Sequence, residues 1–333
     1  MKILSLFDGM SVAQQALKDA GIPVEAYYAS EIDEYAMAVT QSNFPDTIQL
    51  GSVVDILWDC GHPDCNPENI DLMIGGSPCQ DLSIAKANRK GLDGSRSGLF
   101  WEYVRIRDEV RPRYFILENV ASMPKEAKEV ISEALGVQPI MINASLVSAQ
   151  NRKRLFWVGK LDEFGTYKQV EISQPEDRGI LLKDIIETGE NIVYQDTYKR
   201  MEGKPREHTD KCFTLTSAMG TGGGHVPYTV KGVASRTYPR TKIEGQERVK
   251  QIEVRSDEKA NSMTSVQGDS MVMQDTQTRK LTPIECLRLQ SMPDDYFDKA
   301  LYKNKPISNT QRYKMCGNAF NKEVIVHILK HLK

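Results

Sequence analysis

An α/β fold is predicted for this 333-residue chain: a mostly parallel sheet with helices on both faces, joined by a second, smaller β-rich domain. Three observations predict it. Short apolar runs alternate with helical periods over the first 160 residues, the pattern of a parallel sheet covered by helices. Several of these runs end in glycine-rich or acidic loops, as they do where strands reach the ligand-binding edge of an open sheet. Beyond about residue 170 the texture turns to Gly, Thr, Ser and charge, with no long amphipathic helix.

The predicted strands, in order, are KILSLF, EAYYASE, TIQLG, IDLMIGG, YFILEN, PIMINAS and LFWVGKL. Between the first two lies VAQQALKDAG, whose Ala13, Ala16, Leu17 and Ala20 share a helix face and whose Gly21 is placed to end it. From about Glu171 to Gln277 the chain reads as a separate, irregular, β-rich unit. Within it, "DKCFTLTSAMG" from Asp210 and "EKANSMTSVQG" from Glu258 form a quasi-repeat 48 residues apart. Two copies are too few for a solenoid, and turn-rich segments also resemble each other by chance. Order returns at "LTPIECLRLQSMPDDY". There Thr282 can cap a helix, Pro283 suits its first position and Glu285 completes a capping box, with Ile284, Leu287 and Leu289 apolar. The last segment, "NKEVIVHILKHL", reads as a helix capped by Asn321, so the chain leaves one domain and comes back to it.

No apolar stretch approaches the roughly 18 residues of a membrane span, and MKILSLFDG lacks a secretory profile, which predicts an intracellular, cytoplasmic protein with no membrane partner. Six cysteines without paired spacing are expected as thiols. Cys60, His62 and Cys65 in "CGHPDC" lack the rest of a zinc-finger pattern; a surface loop is the plainer reading, and no metal is expected. The net charge of −2 neither favours nor excludes nucleic acid. Between Asn191 and Lys280, 15 basic residues face 11 acidic ones, a modest local surplus that permits DNA contact and equally suits a solvated face.

Several positions carry candidate chemistry. "SLFDGMS", Ser5 to Ser11, is a strand entering a glycine turn before a helix, suited to close approach by a cofactor, though it is not a dinucleotide fingerprint. Glu31 ends the second strand about 20 residues on, where an acid can accept from ribose hydroxyls. Cys79 in "GGSPCQDLS" sits where a buried strand runs out into a loop whose backbone N–H groups can favour a thiolate; a lone cysteine is otherwise commonly structural. Glu118, beside Asn119 in "FILENV", is a carboxyl at another strand end, and partial burial there would let it donate a proton near neutrality. In "QNRKRLFWVG", Arg152 and Arg154 alternate with Lys153 and should share a face, where their forks suit a carboxylate, a phosphate or a base carbonyl. Charged alternation also protects sheet edges.

Taken in order, SLFDGMS, ASEID, GGSPCQDLS, FILENV, SAQNRKRLFWVG, RKLTPIECLRLQSMPDDY and YKMCGNAF resemble the sequence blocks of the DNA (cytosine-5) methyltransferases, and they span nearly the whole chain. The Ser-Pro-Cys frame and "VSAQNRKRLFWVG" are most similar to the eukaryotic de novo branch. The resemblance implies a Rossmann-like fold that uses S-adenosylmethionine and releases S-adenosylhomocysteine. It implies a catalytic domain over 1–190 and 304–333, and a target-recognition domain over 191–303 with a hinge helix at about 282–292. It further implies that Cys79 attacks C6 of a cytosine flipped out of duplex DNA, and that Glu118 holds and protonates N3. Arg154 would bind the base carbonyl, with Arg152 supporting the site and Asn119 bracing the loop that carries Cys79.

For the cofactor, the resemblance implies Phe7, Gly9, Met10, Glu31, Ile32, Ser52, Val53, Pro78, Leu99, Asn318 and Ala319. For DNA it implies Gln80, Ser83, Thr214 and Leu215, with Ser262 and Thr264 added through the quasi-repeat. Three departures stand out. Ser11 replaces a glycine of the first block, Gly51-Ser52 lacks the usual aspartate beside the adenine amine, and Ser291-Met292-Pro293 replaces Gly-Phe-Pro. None removes a catalytic group.

Two other readings compete. Cys212-Phe213-Thr214 resembles the tRNA-methylating branch, although "LTSAMG" does not continue that pattern. A silent DNA-binding homologue would be expected to lose Pro78-Cys79, Glu118-Asn119 or Arg152 and Arg154, and all are present. A first block so near the start of the chain, with no chromatin-reading module, predicts a bacterial or phage enzyme that protects DNA from restriction, acting as a monomer on DNA beside a cognate endonuclease.

Overall fold

The computed structural model describes residues 1–57, 69–77, 98–187, 259–260 and 281–332, and the backbone of six strands between 194 and 280. Strands β1 (Lys2–Leu6), β2 (Ala26–Ser30), β3 (Ile48–Gln49), β4 (Leu72–Gly76), β5 (Tyr114–Val120), β6 (Pro139–Asn143), β7 (Lys153–Leu161) and β8 (Tyr167–Gln169) form one sheet. Its order is β3-β2-β1-β4-β5-β7-β6, with β8 on the far end of β7. Neighbours from β3 through β5 pair in parallel, whereas β7 runs antiparallel to both β5 and β6. All seven strands expected from the apolar runs are present.

Period-two alternation explains why the runs are apolar throughout. Ile3, Leu72, Ile74, Tyr114 and Ile116 point into one core, and Leu4, Met73, Phe115 and Leu117 into the other, so each central strand is buried on both faces. The first core is covered by α1 (Val12–Asp19), α2 (Glu34–Asn43) and the chain's last helix, Lys322–Leu329, through Ala16, Leu17, Val39, Ile325 and Ile328. The second is covered by α3 (Leu99–Val110) and α4 (Lys125–Leu135), through Phe100, Tyr103, Ile106, Ile131 and Leu135.

The capping box predicted at Thr282 is present: Glu285 N–H donates to Thr282 Oγ1 (3.2 Å) and Thr282 N–H to Glu285 Oε2 (2.8 Å), opening α5 (Pro283–Leu289). Asn321 caps the last helix by accepting from Val324 N–H at 3.2 Å. The stretch 281–303, expected to close the recognition domain with its hinge helix, contributes to the first core. Leu281, Leu287, Leu289, Met292, Tyr296, Phe297 and Ala300 are buried there, the first three on or beside α5 and the others in the turns that follow it.

The described residues between 194 and 254 and between 271 and 280 are strands. A short pair, β9 (Tyr194–Gln195) and β10 (Glu207–His208), precedes an antiparallel sheet of β11 (Lys231–Tyr238), β12 (Val249–Val254), β13 (Met271–Gln274) and β14 (Gln277–Lys280) in the order β12-β11-β13-β14. Cys60, His62 and Cys65 lie outside the described residues. Among the described residues, no helix is long and apolar enough to cross a membrane.

The β5–β7 seam tolerates no extra volume at its centre. A Cβ on Gly159 would stand 2.3 Å from Phe115 Cε1, and Phe115 is fully buried. Gly159→Ala should therefore lose about 1–3 kcal/mol by overpacking, measured as a lowered urea midpoint with an unchanged slope.

Candidate active site

The strand order brings five chain segments to one edge of the sheet. The carboxyl ends of β1, β2, β4 and β5 open there, and because β7 is reversed, its amino end opens there too. Register fixes the neighbours: Gly76 is opposite Glu118 on β5, and Val120 is opposite Arg154 on β7.

On the β1–β2 side, the loop after β1 winds through left-handed backbone at Phe7 (φ 57°), Gly9 (φ 61°) and Ser11 (φ 60°). A Cβ on Gly9 would meet nothing within 4 Å, so its backbone faces open space. Glu31, just past β2, holds this loop: Oε2 accepts from Gly9 N–H (2.8 Å), and Oε1 from Ile32 N–H (2.7 Å) and Asp33 N–H (2.8 Å). A carboxylate has about four acceptor positions, so one remains for a hydroxyl donor. Ile32 beside it is an apolar side chain left 74% exposed. Open backbone, a free acceptor position and an exposed apolar face fit a ribose-bearing cofactor.

The other cofactor candidates divide. Ser52 caps the short turn Val53–Asp55, accepting from Val54 N–H at 3.4 Å, while Val53 is buried beneath it. Leu99 opens α3 half-buried against the second core. Asn318, at the end of α6 (Asn309–Asn318), is exposed, and Ala319 after it is buried. Met10 is 1% exposed, so it meets the edge through its backbone, and its carbonyl accepts from Tyr296 Oη at 2.7 Å. Tyr296 was not predicted. Its signal, an aromatic residue following "SMPDD", says nothing of a partner 286 residues away.

Asp8 lies under the same loop, nearly fully buried. Its Oδ1 accepts from Tyr27 Oη at 2.7 Å. Burial pushes the Asp8 carboxyl up from its ordinary value to about 6, opposed by the Ser5, Tyr27 and Ser11 hydroxyls and assisted by the negative charge of Glu31. Burial also pushes the Tyr27 hydroxyl well up, which keeps it a donor.

On the β5–β7 side, Arg154 Nε donates to Glu118 Oε1 at 2.7 Å, with both side chains mostly buried. Glu118, Arg152, Arg154, Phe156 and Phe320 line one small cleft, so both arginines do share a face. Arg152 is 4% exposed, and its Nη2 donates to Ala319 O (2.8 Å) and Gly317 O (3.3 Å). Asn119 turns to the other side: Nδ2 donates to Ser77 Oγ at 3.1 Å, tying β5 to the residue before Pro78. A Cβ on Gly76 would sit 3.0 Å from Phe320 Cε1 and 3.1 Å from Glu118 Oε2, so glycine lets the end of β4 approach the carboxylate. Phe320 was not singled out from the sequence, because a phenylalanine before a capping asparagine reads as ordinary core.

Pro78, Cys79, Gln80, Ser83, Thr214, Leu215, Ser262 and Thr264 lie outside the described residues. The cysteines within them are poor nucleophiles: burial pushes the Cys286 thiol up to about 12, and the Cys316 thiol is raised further from the thiolate range.

This geometry, a methyl-donor-type sheet edge beside a carboxylate and two arginines, can be set against known proteins. The model of the C-5 cytosine-specific DNA methylases matches residues 1–333. The chain belongs to this family. It is 28% identical to the type II methyltransferase M.NgoPII of Neisseria gonorrhoeae, over 96% of this chain and 91% of that protein. It is 25% identical to the orphan methyltransferase M.SPRI of Bacillus phage SPR, over 100% and 97%. In fold it is similar to the S. pombe Dnmt2 methyltransferase (TM-score 0.58, 16% identity, 100% of this chain and 98% of that one). It is likewise similar to the Entamoeba histolytica methyltransferase EhMeth (TM-score 0.63, 13% identity, 100% and 97%). The chain is thus a DNA cytosine-5 methyltransferase that uses S-adenosylmethionine on a Rossmann-like sheet.

For this methyltransferase the buried acid gives a pH signature. The folded state favours protonated Asp8, so its ionisation costs stability as pH rises from the ordinary 3.8 through about 6. Asp8→Asn has no such cost. Its stability advantage over the wild type should be on the order of 1–3 kcal/mol at pH 7.5 and shrink as pH falls to 5, read by denaturant titration at each pH.

Proposed function

We propose that Cys79, Glu118, Arg152, Arg154 and Asn119 form the catalytic set for methylating a cytosine flipped from duplex DNA. The observation that carries this is the Glu118–Arg154 pair, held at 2.7 Å on the edge where Ser77 leads into Pro78-Cys79. A carboxylate and a guanidinium side by side match the N3 and O2 edge of one cytosine, the first donating when protonated and the second donating always. On this reading the base enters by replacing their mutual contact.

The Cys79 thiolate forms a bond to C6 while Glu118 gives a proton to N3, so the ring's electron pair moves towards C5. Arg154 holds O2, Arg152 keeps the strand entrance fixed from below, and Asn119 fixes Ser77 and with it the root of the cysteine loop. S-adenosylmethionine, when bound, supplies an electrophilic methyl group. Loss of the C5 proton to a base, with cleavage of the Sγ–C6 bond, expels the Cys79 thiolate, and N3 returns its proton to Glu118, restoring the aromatic ring.

The groups that hold the cofactor are assigned to Phe7, Gly9, Met10, Glu31, Ile32, Ser52, Val53, Pro78, Leu99, Asn318 and Ala319. Gly9 leaves its backbone open, and Glu31 keeps an acceptor position for a ribose hydroxyl. Gln80, Ser83, Thr214, Leu215, Ser262 and Thr264 are assigned to DNA. The catalytic domain takes 1–190 and 304–333 and the recognition domain lies within 191–303, the packing of Leu281 to Ala300 favouring a division near 280. By analogy with M.NgoPII and M.SPRI, the biological setting is restriction-modification or phage DNA protection in a bacterial cytoplasm. The enzyme then acts as a monomer, beside a cognate endonuclease where one exists.

The test is transfer of tritium from labelled S-adenosylmethionine to unmethylated duplex DNA of mixed sequence, followed by bisulfite mapping. Methylcytosine in one short context is expected. Cys79→Ser should abolish transfer, and Glu118→Gln should lower kcat by about 10²-fold or more. Transfer to tRNA and not to duplex DNA would overturn the substrate, and full activity in Cys79→Ser would overturn the covalent step.

A further inference from the structure

The inserted region joins the catalytic core at a neck and at one further described point. At the neck, the buried Glu285 carboxylate accepts from Glu187 N–H (3.0 Å) where the chain leaves and from Thr282 N–H (2.8 Å) where it returns. Arg288 Nη1 adds a bond to Ile185 O at 2.9 Å. The departing and returning chain are thus held together at one place.

The second point is Lys259–Ala260. Ala260 pairs in parallel with Gln150: its N–H donates to Ala149 O (2.8 Å) and its carbonyl accepts from Asn151 N–H (2.9 Å), while its side chain is buried in the first core. Lys259 Nζ donates to Ser145 O at 3.1 Å and to Ile180 O. These carbonyls belong to two separate stretches of the catalytic core, one following β6 and the other leading towards the neck. The ammonium therefore joins these two stretches beside the buried Ala260. Asn151 directly precedes Arg152, and Lys259–Ala260 opens the second of the two related segments in the sequence.

We propose that Lys259 is a positioning residue: its ammonium, bound to the Ser145 and Ile180 carbonyls, secures the Ala260–Gln150 bridge just before the arginine strand, and this latch favours one productive approach of DNA to Glu118, Arg152 and Arg154. One point of attachment leaves a rotation undefined and a second removes it, which is what the latch at Lys259–Ala260 supplies. This role rests on the DNA-methylating reading, but the latch has a readout of its own.

The variants are full-length Lys259→Met, which keeps the stem and removes the ammonium, and Lys259→Arg. In Lys259→Met, hydrogen exchange at the Asn151 and Ala260 amides should rise about tenfold. The Kd for unmethylated duplex of mixed sequence should weaken by about tenfold and the methylation map should spread to more flanking contexts, while S-adenosylmethionine binding stays unchanged. Lys259→Arg should restore both exchange and DNA affinity. Unchanged exchange at the two amides overturns the latch, and so does faster exchange with unaltered DNA affinity. Loss of cofactor binding in Lys259→Met together with Lys259→Arg would assign the lysine to folding instead. A wild type inert on DNA, with exchange responding as expected, would leave the latch standing and overturn the substrate reading alone.

Discussion

The site depends on one buried guanidinium. Arg152 stands at the entrance of β7 almost wholly out of solvent, and a charge so placed persists only where fixed dipoles replace water. The carbonyls of Gly317 and Ala319 do so at the C-terminus of α6, the end of a helix where backbone dipoles favour a cation. This contact joins residues 165 and 167 positions apart. It locks the reversed strand, the returning C-terminal segment and Phe320 into one unit, and Phe320 in turn packs on Gly76 at the end of β4.

Two halves of the edge are organised by different physics. On the cofactor side a single carboxylate, Glu31, gathers backbone N–H groups from two loops, so the geometry is carried by main chain and survives side-chain variation at Ser11 or Ser52. On the base side the partners are side chains, Glu118 with Arg154 and Asn119 with Ser77, and each sits at a register position set by β5. Main chain thus organises the one half of the edge and paired side chains the other. Beneath the first half, Asp8, Tyr27 and Tyr296 extend the support into the core, the last of them supplied by the segment that follows the inserted region.

Among the described residues, two places tie the inserted region to this framework. Glu285 gathers the departing and returning strands, and Lys259 with Ala260 reaches the stretch just before Arg152. The second of these ties thus meets the chain directly before Arg152, at the entrance of β7.

Much of this was legible in sequence because it is local. Strand runs such as "IDLMIGG" declare burial on both faces, the Thr282–Glu285 box and the Asn321 cap are defined within four residues, and Glu118, Arg152 and Arg154 belong to short blocks that resemble a known family. What only the tertiary structure decided is which distant groups meet. Nothing local pairs Tyr296 with Met10, Arg152 with Ala319 or Lys259 with Ser145 and Ile180, because hydrogen bonds to backbone carbonyls leave no mark on the identity of the accepting residue. The burial of Leu281 to Ala300 is a finding of the same kind. Their apolar spacing reports that a face is buried, and only the folded chain supplies the core against which it is buried.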